Sequence, residues 1–376
     1  MCTRILYVDG QDGQINPLIY DPNAPSPNVV TGRNMDWAAP LESEIWAFPA
    51  NMERQGGTYN NNGDSSFTWT SKYGSVITSA LDACTTDGIN TQGLVANLLF
   101  LVESDYERGD GEEKLPKMST AAWAQYFLDS FATVKEAVEA MKPEKFEVDA
   151  PVIPDGSNKK STVHLSISDA TGDSAIFEYV GGKLQIHHGK DYIVMTNSPT
   201  YDKQLAINEY WEKKDGMIVL PGTNNASDRF ARCSFYLSAV PRDNVNDVRT
   251  AIATTFSIIR NAAVPIGIAD PEKPNLASTL WSTVSDHKNL VYYYANTRSA
   301  SVCWIDLKEL KLGEGSGVRK IDMLEEVNTL EWSEKPKKPV IIEKWELGGD
   351  LTQEFVPAVP FEFLPHPEVS TLPGQV

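Results

Sequence analysis

The feature that most constrains the fold is the order in which hydrophobic periodicity changes along these 376 residues. Two-residue alternation predicts strands, which are expected at 3–8, 29–37, 44–48, 75–78, 93–101, 163–167, 175–180, 192–196, 279–285, 290–295 and 302–307. Apolar residues three or four positions apart predict helices at 120–141, 201–213, 227–239 and 245–261. Ser119 before the first of these and Pro143 after it mark 120–141 as one helix. We therefore expect an α+β fold with two antiparallel sheets face to face and helices outside.

Composition describes a globular protein with an acidic surface. Hydrophobic residues make up 41% and charged residues 22% of the chain, which suits a sizeable core. The net charge of −18, without a Lys/Arg cluster, excludes nucleic acid as an expected partner because it repels phosphate. No apolar run approaches the roughly 20 residues of a membrane span. The cysteines are too scattered for a zinc motif or a disulfide framework, so we expect no metal and no cofactor.

The cysteine directly after the initiator, Cys2, is the first candidate for chemistry. Removal of Met1 would leave Cys2 with a free α-amine, so that one residue holds both a nucleophile and a base. The α-amine has an unperturbed pKa of about 7.7–8.0 and can accept a proton near neutral pH. By its position alone, Cys2 would more simply be the second residue of an ordinary protein.

Residues 32–37, Gly-Arg-Asn-Met-Asp-Trp, carry two charged side chains near a predicted strand end. Positions three apart on a strand lie on opposite faces, so we interpret this segment as a turn that forms a site. Asp36 could hydrogen-bond an N-terminal amine, and Arg33 beside the sulfur would favour thiolate. Taken alone, the pair would more simply be a surface ion pair.

Two later motifs offer a side-chain amide and a second arginine. Residues 195–199, Met-Thr-Asn-Ser-Pro, predict a strand that ends at Asn197, which either donates to a developing oxyanion or starts a turn. Ser227 is the expected N-cap of a helix, which puts Arg229 in the first turn. A cation is unfavourable at that end of a helix, so we expect another group to hold Arg229 there.

Taken in this order, Cys2 and these motifs resemble the choloylglycine hydrolase family, which belongs to the N-terminal nucleophile hydrolases. The family contains penicillin V acylases and conjugated bile salt hydrolases, and the resemblance covers roughly residues 2–310. It implies a four-layer αββα sandwich. It also implies roles for five residues: Cys2 as nucleophile and base, Arg33 beside the thiol, Asp36 on the α-amine, Asn197 as oxyanion donor, and Arg229 as support for Cys2 and Asp36.

The expected substrate site is apolar and aromatic. Its candidate residues lie in or near the motif segments and are Trp37, Trp46, Trp69 and Phe100. The family often has Asn or Tyr on the strand after a tight turn, which we predict here at 87–94. The register does not place Asn97 cleanly at that position, so either its side chain or a nearby main-chain N–H would contact the substrate.

The resemblance implies a hydrolase of linear amide C–N bonds with a small-molecule N-acyl amide substrate. Penicillin V acylase activity comes first, because residues 69–76 and the long tail resemble the Gram-negative branch of the family. Cleavage of N-acyl homoserine lactones is a further expected task, and conjugated bile salt hydrolysis is the alternative. A glutamine amidotransferase would need a synthase domain, for which the tail is too short. A binding protein without turnover would not need every matched polar residue.

The expected domains are a catalytic domain at 2–312 and a C-terminal extension at 313–376. The extension is rich in Gly, Glu and Pro, and its aromatic residues predict that it packs on the body or on a neighbouring subunit: Trp345, Phe355, Phe361 and Phe363. The resemblance implies a homotetramer. It also implies a periplasmic protein if Met1 replaces a leader, and a cytoplasmic one if Met1 is native.

Overall fold

The computed structural model describes residues 2–9, 28–59, 64–109, 114–240, 247–268, 277–323, 326–328, 341–343 and 348–365. The helices in these ranges are α1 (Thr120–Ser130), α2 (Val134–Met141), α3 (Tyr201–Glu212), α4 (Ala226–Ala239) and α5 (Val248–Arg260). The strands in the first half are β1 (Cys2–Val8), β2 (Val29–Asp36), β3 (Ile45–Phe48), β4 (Glu53–Gln55), β5 (Thr68–Thr70), β6 (Ser75–Ala80), β7 (Cys84–Asn90), β8 (Val95–Phe100), β9 (Lys117–Ser119), β10 (Glu147–Asp149), β11 (Val163–Ser168), β12 (Ser174–Val180) and β13 (Lys183–His188). The later strands are β14 (Val194–Met195), β15 (Thr279–Asp286), β16 (Val291–Asn296), β17 (Cys303–Asp306), β18 (Arg319–Ile321), β19 (Glu326–Asn328), β20 (Ile341–Glu343), β21 (Gly349–Asp350) and β22 (Val356–Pro357).

Two large sheets form the centre of the molecule. The seven-stranded sheet has the order β14-β1-β2-β15-β16-β17-β21, and its neighbours are antiparallel except for β17 and β21. The nine-stranded sheet has the order β13-β12-β11-β8-β7-β6-β3-β18-β22 and is antiparallel throughout. Every residue of β1 is buried, because this inner strand has a layer on each face.

Helices cover the outer face of each sheet. On the nine-stranded sheet, α1 packs on β7 and β8, and α2 packs on β12. On the seven-stranded sheet, α5 packs on β1, β2 and β15, while α4 packs on β1 and β14 and supports α3. Strands β1 and β8 contact each other between the sheets. These four layers confirm the predicted αββα sandwich. No helix in the described ranges has both the length and the apolar character of a membrane span.

The segment predicted as one helix at 120–141 is two helices, so this prediction is wrong. Phe131 after α1 is extended, with φ −123° and ψ 141°, and Thr133 caps α2 by accepting a hydrogen bond from a main-chain N–H of that helix. Asn90 Nδ2 donates to the carbonyl oxygens of Leu128 and Phe131, at 2.8 Å each. A side chain from β7 thus satisfies carbonyls at the end of α1, and periodicity along the helix gives no sign of that contact.

Two segments that the sequence presents as turns are strands. Residues 32–36 belong to β2, so the interpretation of 32–37 as a turn is wrong. Strand β2 stays extended because it is paired along its length with both β1 and β15. Residues 84–90 form β7, and the turn predicted at 87–94 begins only after Asn90, with Gly93 at φ 79°. Asp87 therefore lies in a strand.

The C-terminal extension contributes strands to both sheets. Strand β18 pairs with β3 and β22 in the nine-stranded sheet, and β21 pairs with β17 in the seven-stranded sheet. Phe361 lies 5.1 Å from Trp46 and 5.7 Å from Phe48 between ring centroids, so this part packs on the body of its own chain. Trp345 lies outside the described residues. The boundary between 312 and 313 remains a prediction.

Candidate active site

Cys2 begins β1, and strand register determines what surrounds it. Cys2 pairs with Met35, and Arg4 pairs with Arg33 on β2. Paired residues of antiparallel strands share a face, so these four side chains lie on the inner face of the seven-stranded sheet. Cys2 is only 2% exposed.

The thiol of Cys2 lies beside a buried guanidinium. Arg33 Nη2 is 3.7 Å from Cys2 Sγ and donates to Leu98 O at 3.0 Å. The thioether sulfur of Met35 lies 3.8 Å from Cys2 Sγ and 3.4 Å from the same Arg33 nitrogen. The structure thus places Arg33 next to the sulfur, where the sequence predicted it.

Arg33 is itself held by Asp87, a residue that the sequence analysis did not single out. Arg33 Nη1 lies 4.0 Å from Asp87 Oδ2, and both side chains are fully buried. Asp87 also accepts hydrogen bonds from Asn97 Nδ2 (2.6 Å), the Tyr292 hydroxyl (2.6 Å) and the Thr283 hydroxyl (3.1 Å). Burial raises the pKa of Asp87, while Arg33 and these donors oppose that shift. The role of Asp87 was hidden because its segment reads as a turn.

The main-chain nitrogen of Cys2 points at Asn197. It donates to Asn197 Oδ1 at 2.7 Å, and Arg229 Nη2 donates to the same oxygen at 2.8 Å. Asn197 Nδ2 donates to Phe100 O at 2.6 Å. Two donors on one side and a carbonyl on the other determine the orientation of this amide. One of the two Nδ2 hydrogens is therefore committed to Phe100.

Arg229 connects Cys2 to the outer face of the sheet. It lies in the first turn of α4, whose N-cap is Asn225, so the prediction of Ser227 as N-cap is wrong. Its Nη1 donates to Cys2 O at 2.5 Å and to the Thr3 hydroxyl at 2.6 Å. Burial lowers the pKa of Arg229, and nearby Asp36 is the first of the groups that oppose this shift. These contacts are the partners expected for a cation at a helix N-terminus.

Because β2 is extended here and does not turn, Asp36 lies on the face of the strand opposite to Arg33. Its Oδ1 accepts from the Thr279 hydroxyl at 2.5 Å, and its Oδ2 is 3.9 Å from Arg229 Nη1. Asp36 thus reaches Cys2 through Arg229. Its direct hydrogen bond to the α-amine stays a prediction.

A buried His–Glu pair supports the strand that carries Asn197. His164 Nε2 lies 2.9 Å from Thr196 O, and His164 Nδ1 lies 2.7 Å from Glu178 Oε1. The imidazole ring thus joins the main chain next to Asn197 to a buried carboxyl. Burial opposes ionisation of Glu178, but the hydrogen bond and charge of His164 together lower its pKa. In the sequence, His164 is one of several polar residues that alternate with apolar ones in this strand, so nothing singled it out for this role.

An apolar cavity of about 100 Å³ opens beside Cys2. Trp37 and Phe100 line it as predicted, with ring centroids 5.5 Å apart in an edge-to-face arrangement. Asn97 is not among the described lining residues, because its amide is directed at Asp87. Trp46 and Trp69 also lie elsewhere: their indole N–H groups donate to Asp82 and to Asp129. In the described part of the chain, no three His, Cys, Asp or Glu side chains meet as a metal site.

Comparison with known proteins identifies the class. Residues 22–329 match the linear amide C–N hydrolases of the choloylglycine hydrolase family. The chain therefore belongs to this family, as its fold and the arrangement around Cys2 already indicate, and it is a hydrolase of linear amide C–N bonds.

Within the family, the chain is similar to penicillin V acylases. It is 43% identical to penicillin V acylase of Pectobacterium atrosepticum over 96% of this chain and 92% of that protein. The solved penicillin V acylase from Agrobacterium tumefaciens is also 43% identical and matches with a TM-score of 0.79 over 96% of this chain and 99% of that one. A bile salt hydrolase/transferase of Clostridium perfringens is more distant, with 27% identity over 60% of this chain and 73% of that protein.

Proposed function

We propose that this enzyme hydrolyses the amide bond of penicillin V, or of similar N-acyl amides with a single-ring acyl group, through a thioester on Cys2. The observation that carries this proposal is the apolar cavity, which begins at Cys2 and is lined by Trp37 and Phe100. The high identity to two penicillin V acylases supports it.

The size of the cavity favours one ring over several. In another protein, an apolar cavity of about 150 Å³ binds benzene. The cavity beside Cys2, at about 100 Å³, is smaller than that but of the same order, so we expect it to accept the phenyl end of a phenoxyacetyl group. The fused rings of a steroid would extend out of it. We therefore expect penicillin V to be a better substrate than conjugated bile salts.

In the first half of the proposed reaction, the free α-amine of Cys2 takes the thiol proton, and Sγ attacks the carbonyl carbon. Arg33, at 3.7 Å from Sγ, stabilises negative charge on the sulfur. The second Nδ2 hydrogen of Asn197 and a main-chain N–H are the proposed donors to the oxyanion. The C–N bond then breaks, and the leaving amine takes the proton from the α-ammonium group. Sγ is left as a thioester of the acyl group.

In the second half, a water molecule attacks the thioester carbonyl while the α-amine takes a proton from it. The C–S bond breaks, the acid leaves, and the proton returns to the sulfur. In both halves of the reaction, Arg229 and Asp36 are proposed to position the reacting groups without bonding to the substrate. Arg229 binds the carbonyl oxygen of Cys2 and the amide oxygen of Asn197, and so holds the nucleophile and the proposed oxyanion donor together.

The test is amine release from penicillin V and from glycocholate, measured side by side with Cys2→Ala as control. We expect a clear preference for penicillin V. Preference for glycocholate would make the bile salt reading correct and leave the Cys2 mechanism intact. Binding of either compound without turnover, in protein shown to lack Met1, would favour a silent binding protein. N-acyl homoserine lactones belong in the same assay, because an acyl chain also fits an apolar wall.

We also propose that the enzyme is a homotetramer, as the family resemblance implies. Light scattering on the purified protein would test this, and a mass of one subunit would contradict it.

A further inference from the structure

The apolar cavity has a wall from the far end of the chain. Leu364, in the C-terminal extension, lines it together with Cys2, Trp37 and Phe100. Leu364 is buried and packs in the same apolar cluster as Leu98, which also lines the cavity. The first and the last parts of the described chain therefore meet at one site.

Main-chain contacts on both sides hold Leu364 in place. Its N–H donates to Ala83 O at 3.1 Å, and the next carbonyl, that of Pro365, accepts from Thr58 N at 2.8 Å. Gly57 allows this approach: it has φ +108°, and a Cβ there would lie 2.8 Å from Leu364 O. The neighbour of Ala83 is Cys84, another lining residue. The segment is thus bonded directly to the cavity rim.

Aromatic anchors just before Leu364 determine where the segment runs. Phe361 and Phe363 contact each other at 5.4 Å between centroids, and Phe363 is buried. The Arg54 guanidinium lies 5.9 Å from the Phe363 ring and 4.1 Å from the Phe48 ring. Upstream, β22 pairs with β18 at the edge of the nine-stranded sheet. This docking positions the extension independently of any substrate.

We propose that Leu364 is a specificity-determining residue, so that the C-terminal extension sets how large an acyl group Cys2 can accept. The inference rests on the proposed function, because it assumes that the acyl group enters this cavity. An apolar wall residue changes the fit of an acyl group by its volume. A change of one methylene in such a pocket alters relative kcat/KM by about 10–200-fold.

The experiment compares two amides of one amine, 6-aminopenicillanic acid, that carry a phenoxyacetyl or a larger naphthyloxyacetyl group. Leu364→Ala should raise the ratio of kcat/KM for the larger over the smaller acyl group by about 10-fold or more. Leu364→Phe should lower the same ratio. Opposite shifts in two variants of one residue do not arise from partial unfolding.

The matched control is Leu351→Ala, since Leu351 is a buried leucine of the same extension. Its N–H donates to Trp304 O at 2.9 Å, and it is not among the described lining residues. This variant should keep the wild-type ratio even if its melting temperature falls. An equal shift in Leu351→Ala would overturn the proposal, because the effect would then come from the extension as a whole.

The outcomes separate this inference from the function on which it rests. Wild-type protein that hydrolyses neither amide would overturn the proposed function, and the inference with it. Active wild type together with an unchanged ratio in both Leu364 variants would overturn the inference alone. Loss of folding in both variants would assign Leu364 to stability and also overturn it.

Discussion

The surroundings of Cys2 differ on its two sides. On the charged side, its thiol and its nitrogen contact charged and amide side chains that are positioned by strands and by the first turn of α4. Arg33, Asp36, Asn197 and Arg229 are all buried and bonded to at least one further group. On the other side lies the apolar cavity, whose walls come from strand ends, a loop near Pro154 and the C-terminal extension. The two sides touch the same residue, yet the cavity, unlike the charged side, has a wall from the C-terminal extension.

The difference predicts how each side responds to change. A buried charge whose partner is removed is costly, by about 3–5 kcal/mol, so the charged side should tolerate little. In an apolar wall, a larger or smaller side chain mainly changes the contact area with the acyl group. The cavity should therefore tolerate substitutions that alter its shape without loss of the fold. Chemistry should therefore vary little among such enzymes, while acyl preference varies with the wall.

The largest effect is expected from the residue that the two sides share. Cys2→Ala should lower kcat/KM for penicillin V by at least about 10⁴-fold, because both nucleophile and thioester are lost. The control is Cys303→Ala, a thiol buried in β17 whose pKa is raised by burial. It should keep activity within about threefold. Comparable losses of activity in the two variants would contradict the role of Cys2 as the nucleophile.

The next effect belongs to the charged side. Arg229→Lys keeps the charge, but one ammonium cannot reach Cys2 O, the Thr3 hydroxyl and Asn197 Oδ1 together. We expect kcat to fall by about 10²-fold or more. Arg232→Lys, three residues further along α4, affects only contacts to main-chain carbonyls away from Cys2, those of Pro221, Thr223 and Asn261, and should stay near wild type. If the two variants were equally active, the charged side would be as tolerant as the cavity.

A smaller effect, of a different kind, is expected on the cavity side. Trp37→Phe removes the indole N–H that donates to Asp155 at 2.8 Å and part of the wall. KM for penicillin V should rise about 5–10-fold with kcat within about threefold, because the lost binding is the same in ground and transition states. Trp304→Phe on β17, half-exposed, is the control. A fall in kcat as large as that of Arg229→Lys would erase the distinction between the two sides.

The smallest effect on activity is expected from a buried carboxyl outside both sides, which should alter the pH dependence of stability instead. Burial raises the pKa of Glu44 from 4.5 to about 8, against the opposing hydrogen bond from Met323 N. The folded state then holds a proton that the unfolded state has released. The contribution of Glu44 to the free energy of unfolding is therefore highest below pH 4.5 and falls up to about pH 8, by at most about 1.4 kcal/mol per pH unit.

Urea unfolding of Glu44→Gln between pH 5 and 8 checks this. The variant should show a flatter dependence on pH than wild type, while exposed Glu42→Gln should follow wild type. An unchanged slope in Glu44→Gln would show that a buried carboxyl here carries no such cost. It would also imply that a buried charge costs little in this fold, including on the charged side of Cys2.

Features of this enzyme that depend on residues close together in the chain could be predicted from the sequence. Periodicity predicted the layers, and the motif order placed Cys2, Arg33, Asn197 and Arg229 in one cluster. The errors arose where a distant group decides the outcome. Asn90 ends α1 within a continuous helical pattern, and pairing with two neighbours keeps 32–36 extended.

Partners across strands were missed for the same physical reason. Asp87 becomes the counter-ion of Arg33, and His164 the neighbour of Glu178, only because register and sheet packing bring them together. Asn97 was predicted to contact the substrate and does not line the cavity, for the same reason. It pairs with Asp87 across the strands, and this pairing directs its amide away from the cavity. No spacing along the chain contains that information.

The burial of the Cys2 nitrogen has a consequence for the timing of biosynthesis. This atom belongs to a residue that is only 2% exposed, and it is hydrogen-bonded to Asn197, 195 positions further along the chain. If Met1 precedes Cys2 in the cell, we expect its removal while β1 is still unpaired, because pairing with β2 buries Cys2. Molecules that folded before this removal would keep a blocked Cys2 nitrogen and should be inactive, so the active fraction would be decided in the cell and not during purification.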